Sequence, residues 1–149
     1  MTSSRLTMPS ILLLTILTLS ACDKPITGEN IIKLSTDLSA KNEVPPISSD
    51  ADGEVAVTID QKNNKLIWEI EYEDLTGAVT AAHFHGPATN GQNANVALPI
   101  NGNLTSPIKG EATLTPAQTT DVLAGKWYVN IHTAVNPDGE IRGQLVPKS

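Results

Sequence analysis

The chain has 149 residues and one cysteine, and its 16 acids outnumber 10 lysines and arginines for a formal charge of −6. That length gives room for one domain. An acidic balance without clustered basic residues argues against nucleic acid as a partner, and a single cysteine excludes an internal disulfide.

The first segment reads as an address. Arg5 gives a weakly basic start, and Ile11 to Leu19 form an apolar run too short to span a bilayer as a permanent helix. The run ends in Leu19-Ser20-Ala21-Cys22, which resembles the lipobox of bacterial lipoproteins. That resemblance implies a signal peptide over 1–21, cleavage before Cys22, and acylation of the Cys22 thiol by lipid chains such as palmitate. The expected product keeps 128 of the 149 residues, and its charge moves to −7 because the signal carries Arg5 and no acid. Its partner would be a membrane, reached through the Cys22 lipid. The domain would face outside the cytoplasm, in the periplasm or on the cell surface. Residues 22–31 read as a lipidated tether containing Pro25 and Gly28, and residues 32–147 as the folded domain.

Beyond the tether, short alternating segments separated by turn residues predict an all-β domain. Ile31 to Leu38 is a first strand. Glu54 to Asp60 places Val55, Val57 and Ile59 on one side, and Lys62-Asn63-Asn64 turns the chain. Leu66, Trp68, Ile70 and Tyr72 then form an apolar face opposed by Glu69, Glu71 and Glu73. Further strands are expected over Val79 to His85, Asn95 to Ile100 and Gly110 to Leu114. Thr115-Pro116-Ala117-Gln118 spells a capping box with proline at the first helical position, and Gly125 closes a short helix over 116–124.

Trp127 to Ala134 and Glu140 to Val146 read as a hairpin around Pro137-Asp138-Gly139, with positive φ at Gly139. That loop predicts pairing of Ala134 with Arg142 and His132 with Gln144. Val129, Ile131, Thr133, Ile141 and Leu145 then face the core, and Tyr128, Asn130, His132, Glu140, Arg142 and Gln144 take the other face. Strands of this number and length, with one helix, predict an antiparallel two-sheet Greek-key sandwich of immunoglobulin-like or superoxide-dismutase-like type.

All three histidines, His83, His85 and His132, fall on polar strand faces. Side chains at i and i+2 lie about 6.5 Å apart along a strand. Two imidazoles so placed can therefore converge on an ion about 2 Å from each nitrogen. A third histidine from a neighbouring strand completes a set suited to copper or zinc. Asn130, Arg142 and Glu140 would support that site or contact an anion, and Glu69, Glu71 or Glu73 are further candidates for a ligand. The plainer alternative is that each histidine separately pins loop backbone beside Gly86 and Pro87.

Three ordered segments resemble the CHRD (chordin-type) domain family. Leu38-Ser39-Ala40-Lys41-Asn42-Glu43-Val44-Pro45-Pro46 resembles its opening and Ala81-Ala82-His83-Phe84-His85-Gly86-Pro87-Ala88 its central motif. Tyr128 to Thr133, followed by Asn136 to Gln144, resembles its closing motif. The resemblance runs from about Ile32 to Val146; Phe84 stands where an aliphatic residue is more usual. It implies an extracellular β domain, part of a secreted growth-factor antagonist in animals and often a solitary exported domain in microbes. Growth-factor antagonism is not carried over, because fold does not fix function. The layout of His83, His85, His132 and Arg142 also resembles that of copper–zinc superoxide dismutases. One cysteine and three histidines, however, cannot supply that enzyme's disulfide or its dinuclear site.

No nucleophile elbow, phosphate loop or His-Glu-x-x-His occurs in the chain. The expected function is therefore that of a non-enzymatic, envelope-anchored module that binds a protein or small molecule, or plays a structural part. The alternative is a mononuclear copper or zinc protein with redox activity.

Overall fold

Alternation builds this fold, strand by strand. The computed structural model describes residues 30–146, so the signal and the Cys22 anchor lie outside the described residues. The strands are β1 (Ile31–Ser39), β2 (Asp52–Asp60), β3 (Lys65–Glu73), β4 (Val79–His85), β5 (Val96–Pro99), β6 (Ile108–Thr113), β7 (Trp127–Thr133) and β8 (Ile141–Leu145). One helix, α1 (Pro116–Leu123), precedes β7, and a 3₁₀ turn spans Ala40–Asn42. Every second residue of β2 and β3 is buried: Val55, Val57 and Ile59, then Leu66, Trp68 and Ile70. The β2–β3 turn is held by Asp60, whose carboxylate accepts from the Lys62 and Asn63 amides, and Asn64 takes a φ of 52°. Thr115 and Gln118 form the expected capping box at the start of α1.

The all-β antiparallel character and the single helix are as expected. The arrangement is not two separate sheets, because all strands hydrogen-bond in one curled sheet, ordered β5-β4-β7-β8-β1-β2-β3-β6. Its two halves, β5-β4-β7-β8 and β1-β2-β3-β6, meet where Ser39 of β1 pairs with Arg142 of β8. The curl brings the apolar faces together, with the Trp68 and Phe84 rings edge-on at 5.4 Å between centroids. The core is a layer of aliphatic side chains around these rings and Trp127.

The β7–β8 hairpin corrects the expected register. Asn130 pairs with Arg142 and Tyr128 with Gln144, so the true pairs lie four residues further from the turn than expected. Ladder pairing between the two strands stops at Ile131 and Ile141, and residues 134–140 form a wider loop. The loop closes on Asn136, whose carbonyl accepts from the Thr133 and Gly139 amides, while the Glu140 amide still donates to the Ile131 carbonyl at 2.7 Å. Because the displacement is even, the division into faces survives. Gly139 has the expected positive φ, at 128°.

The polar face of β7 and β8 departs more deeply from a solvated surface. Asn130, Arg142 and Gln144 are buried beneath the loops that follow β1 and β4. The molecule thus carries a second, polar interior on the outer side of the sheet.

Candidate metal centre

β4 and β7 are antiparallel neighbours, with His83 opposite Asn130, His85 opposite Tyr128 and Ala81 opposite His132. Ala82 and Phe84 point into the core, so His83 and His85 point outward on the face that also carries Tyr128, Asn130 and His132. His83 Nδ1 lies 3.1 Å from His132 Nε2, and one ring nitrogen from each of the three histidines lies within 4.8 Å of the others. Two ligands at about 2 Å from one ion can be at most about 4 Å apart. The closest pair already fits; His85 must close by about 1 Å, within the reach of a χ rotation.

Backbone carbonyls orient two of the rings. His132 Nδ1–H donates to the Pro137 carbonyl at 2.9 Å, and His85 Nδ1–H donates to the Ala94 carbonyl at 3.0 Å. Since a carbonyl only accepts, each neutral ring turns an Nε2 lone pair toward its neighbours. His85 Nε2 is buried and has no hydrogen-bond partner. Burial is the main reason that His83 and His85 titrate below the ordinary imidazole value. For His83 the two neighbouring rings add to the effect; for His85 the bond to Ala94 works against it and His132 adds to it. Neutral imidazoles with one nitrogen fixed by a backbone acceptor are the form in which histidine ligates metals.

Beside the histidines runs a stack that periodicity could not foretell. The His85 and Tyr128 rings are parallel at 4.8 Å, and the Arg142 guanidinium lies 3.4 Å from the other side of Tyr128. Arg142 also donates to Asn93 Oδ1 at 2.8 Å and to the Gln92 carbonyl at 2.6 Å. At 1% exposure it is a buried strut between Tyr128 and the loop carrying Gln92 and Asn93. It makes no ion pair with Glu140. Glu140 accepts from Ser49 Oγ (2.9 Å), Thr76 N (2.8 Å), Thr76 Oγ1 (3.0 Å) and Thr133 Oγ1 (2.6 Å). Burial alone would raise its pKa, but these donors hold it down at about 2. Four donors use the acceptor capacity of one carboxylate, so Glu140 clamps loops and supplies nothing to the histidines. Glu69, Glu71 and Glu73 belong to β3 in the other half of the sheet, where Glu69 pairs with Lys109 at 2.7 Å.

Asn130 does belong with the histidines: its Oδ1 lies 3.0 Å from His132 Nε2. Glu43, which sequence patterning gave no role, sits behind it. The Glu43 carboxyl and the Asn130 amide nitrogen flank Gly139, where a Cβ would lie 2.6 Å from Glu43 Oε1 and 2.8 Å from Asn130 Nδ2. Burial pushes Glu43 up to about 7, against the opposing charge of Arg142 and hydrogen bonding from Asn130 and Val44. The one sequence signal for Glu43 was its place in the Leu38–Pro46 motif.

Compared with known proteins, residues 34–145 match the family model of the CHRD domain. No curated protein and no solved structure matches the chain.

Proposed function

The chain belongs to the CHRD domain family, and on that premise we propose an exported module, lipid-anchored at Cys22, that holds one copper or zinc ion between His83, His85 and His132. The observation that carries the metal reading is the convergence of three ring nitrogens within 4.8 Å. It is supported by the two N–H groups turned away to Pro137 and Ala94, which leave Nε2 lone pairs at the centre. Imidazole ligands without thiolate suit copper and zinc. The anchor rests on the Leu19-Ser20-Ala21-Cys22 sequence, and an anchored ion-binding domain would work outside the cytoplasm.

Isothermal titration of the metal-stripped full chain in detergent with Zn²⁺ and Cu²⁺ tests the metal reading. One ion per chain is expected, with binding lost in His83→Ala; identical isotherms for the two proteins would overturn it. A second reading, a CHRD module that binds a partner or plays a structural part without any ion, is favoured by family membership itself. It stands alone if neither metal binds.

A further inference from the structure

The three histidines leave a tetrahedral ion one ligand short, and the neighbouring carboxylate Glu140 is fully engaged elsewhere. Asn130 occupies the right place. It is 4% exposed, stands directly opposite His83 on β7, and has its Oδ1 3.0 Å from His132 Nε2.

The hydrogen-bond pattern around it is unbalanced. His132 has given its Nδ1–H to Pro137, so its Nε2 carries a lone pair in the neutral ring. That lone pair faces Asn130 Oδ1 at 3.0 Å. His83 Nδ1, at 3.1 Å, can donate to His132 Nε2, but this leaves the amide oxygen without a hydrogen from either ring. Two acceptors that close, one on the buried Asn130 and one on the half-buried His132, repel each other unless a positive charge lies between them.

The Asn130 Nδ2 atom and Glu43 Oε1 both border Gly139 on the side away from the imidazoles. The amide oxygen lies on the imidazole side, 3.0 Å from His132 Nε2. The spacing agrees with a cation in that position. Ligands in a tetrahedron with bonds of about 2 Å are about 3.3 Å apart, close to the 3.0 and 3.1 Å that separate His132 Nε2 from Asn130 Oδ1 and His83 Nδ1.

We propose that Asn130 Oδ1 is the fourth ligand of a three-nitrogen, one-oxygen centre. The proposal rests on the three-histidine reading and gives it a selectivity. A carbonyl oxygen is a hard ligand, which a divalent ion values and the soft Cu⁺ ion does not. Three imidazoles satisfy Cu⁺ unaided.

The test measures Zn²⁺ and Cu⁺ affinities of the full chain in detergent by competition with a chromophoric chelator. Asn130→Leu should weaken Zn²⁺ binding by at least about 10–100-fold and leave Cu⁺ binding unchanged. Asn130→Asp, which places an anionic oxygen at the same point, should bind Zn²⁺ more tightly than the native protein. Unchanged Zn²⁺ affinity in Asn130→Leu would overturn the proposal, as would an equal loss for both ions, the mark of a purely structural role. If Asn130→Leu does not fold, Asn130→Asp decides: tighter Zn²⁺ binding supports the oxygen ligand, and equal or weaker binding refutes it. His83→Ala separates the levels. Loss of both ions there, with Zn²⁺ retained in Asn130→Leu, removes Asn130 and keeps the three-histidine site; a native protein that binds neither ion removes both.

Discussion

Replacing Glu43 with glutamine should stabilise the metal-free protein at pH 8 and leave it nearly unchanged at pH 4. Burial raises the Glu43 pKa from the ordinary 4.5 to about 7, and Arg142, Asn130 and Val44 only partly offset that burial. The unfolded chain therefore ionises first as pH rises. Below about pH 4.5 both states hold the proton and the group contributes nothing. Between 4.5 and 7 the unfolded state alone gains charge, and stability falls by about 1.4 kcal/mol per pH unit. Above 7 the penalty is constant at about 3 kcal/mol, the product of that slope and the shift. Glutamine resembles the protonated acid in shape and never ionises, so the variant should recover most of this at pH 8. Urea unfolding of both proteins at pH 4, 6 and 8 measures the difference directly. A difference that does not grow with pH, or a variant less stable than the native protein at pH 8, would refute the reasoning.

Glu140→Gln should behave in the opposite sense. With its pKa held at about 2, Glu140 contributes about 3 kcal/mol that is present above pH 4.5 and lost as pH falls through 2. The variant should therefore lose that much at pH 7 and show a shallower acid limb in urea melts. Gly139→Val should cost roughly 2–4 kcal/mol, from a β-branched residue at φ 128° and from contact of its Cβ with Glu43 and Asn130; thermal unfolding would report it. Cys22→Ser should leave unprocessed precursor or a released soluble form, and intact-mass analysis of the membrane fraction should find no diacylglyceryl adduct.

Period-two alternation was enough to locate the strands, and Val79 to His85 was read to the residue, because one face of each strand must reach the core. The capping box of α1 was legible for a different reason: Thr115, Pro116 and Gln118 each act within one turn. The hairpin register was missed because the chain leaves the ladder after Thr133 and turns around the Asn136 carbonyl, a wider loop than the three residues Pro137-Asp138-Gly139 that carry the turn signal. The histidine cluster was foreseeable from face assignment in β4 and β7. What could not be read was the cover over that face. Arg142 reads as a solvated cation in β8, and only the folded loop carrying Gln92 and Asn93 supplies the carbonyl and amide oxygens that bury it. Glu43 was opaque for the same reason: its burial arises from packing between loops, which no periodicity records.

The seam between the two halves of the sheet has a consequence for how the molecule opens. Between β1 and β8 the ladder is reduced to Ser39 and Arg142, whereas β1 and β2 pair along all nine residues. A methyl group at Gly143 would come within 2.5 Å of the Asp37 carbonyl, so the strands meet closely there without a long backbone ladder. Side chains across the core, such as Trp68 against Phe84, therefore carry much of the joining of the halves. Opening that begins at this seam should release the β4–β7–β8 half, with every proposed metal ligand, once the core faces and the Ser49–Glu140 and Asn42–Arg142 hydrogen bonds part. Such a unit forms its own tier in native-state amide exchange. An ion bound to β4 and β7 would slow exchange in that tier without reaching β2 and β3.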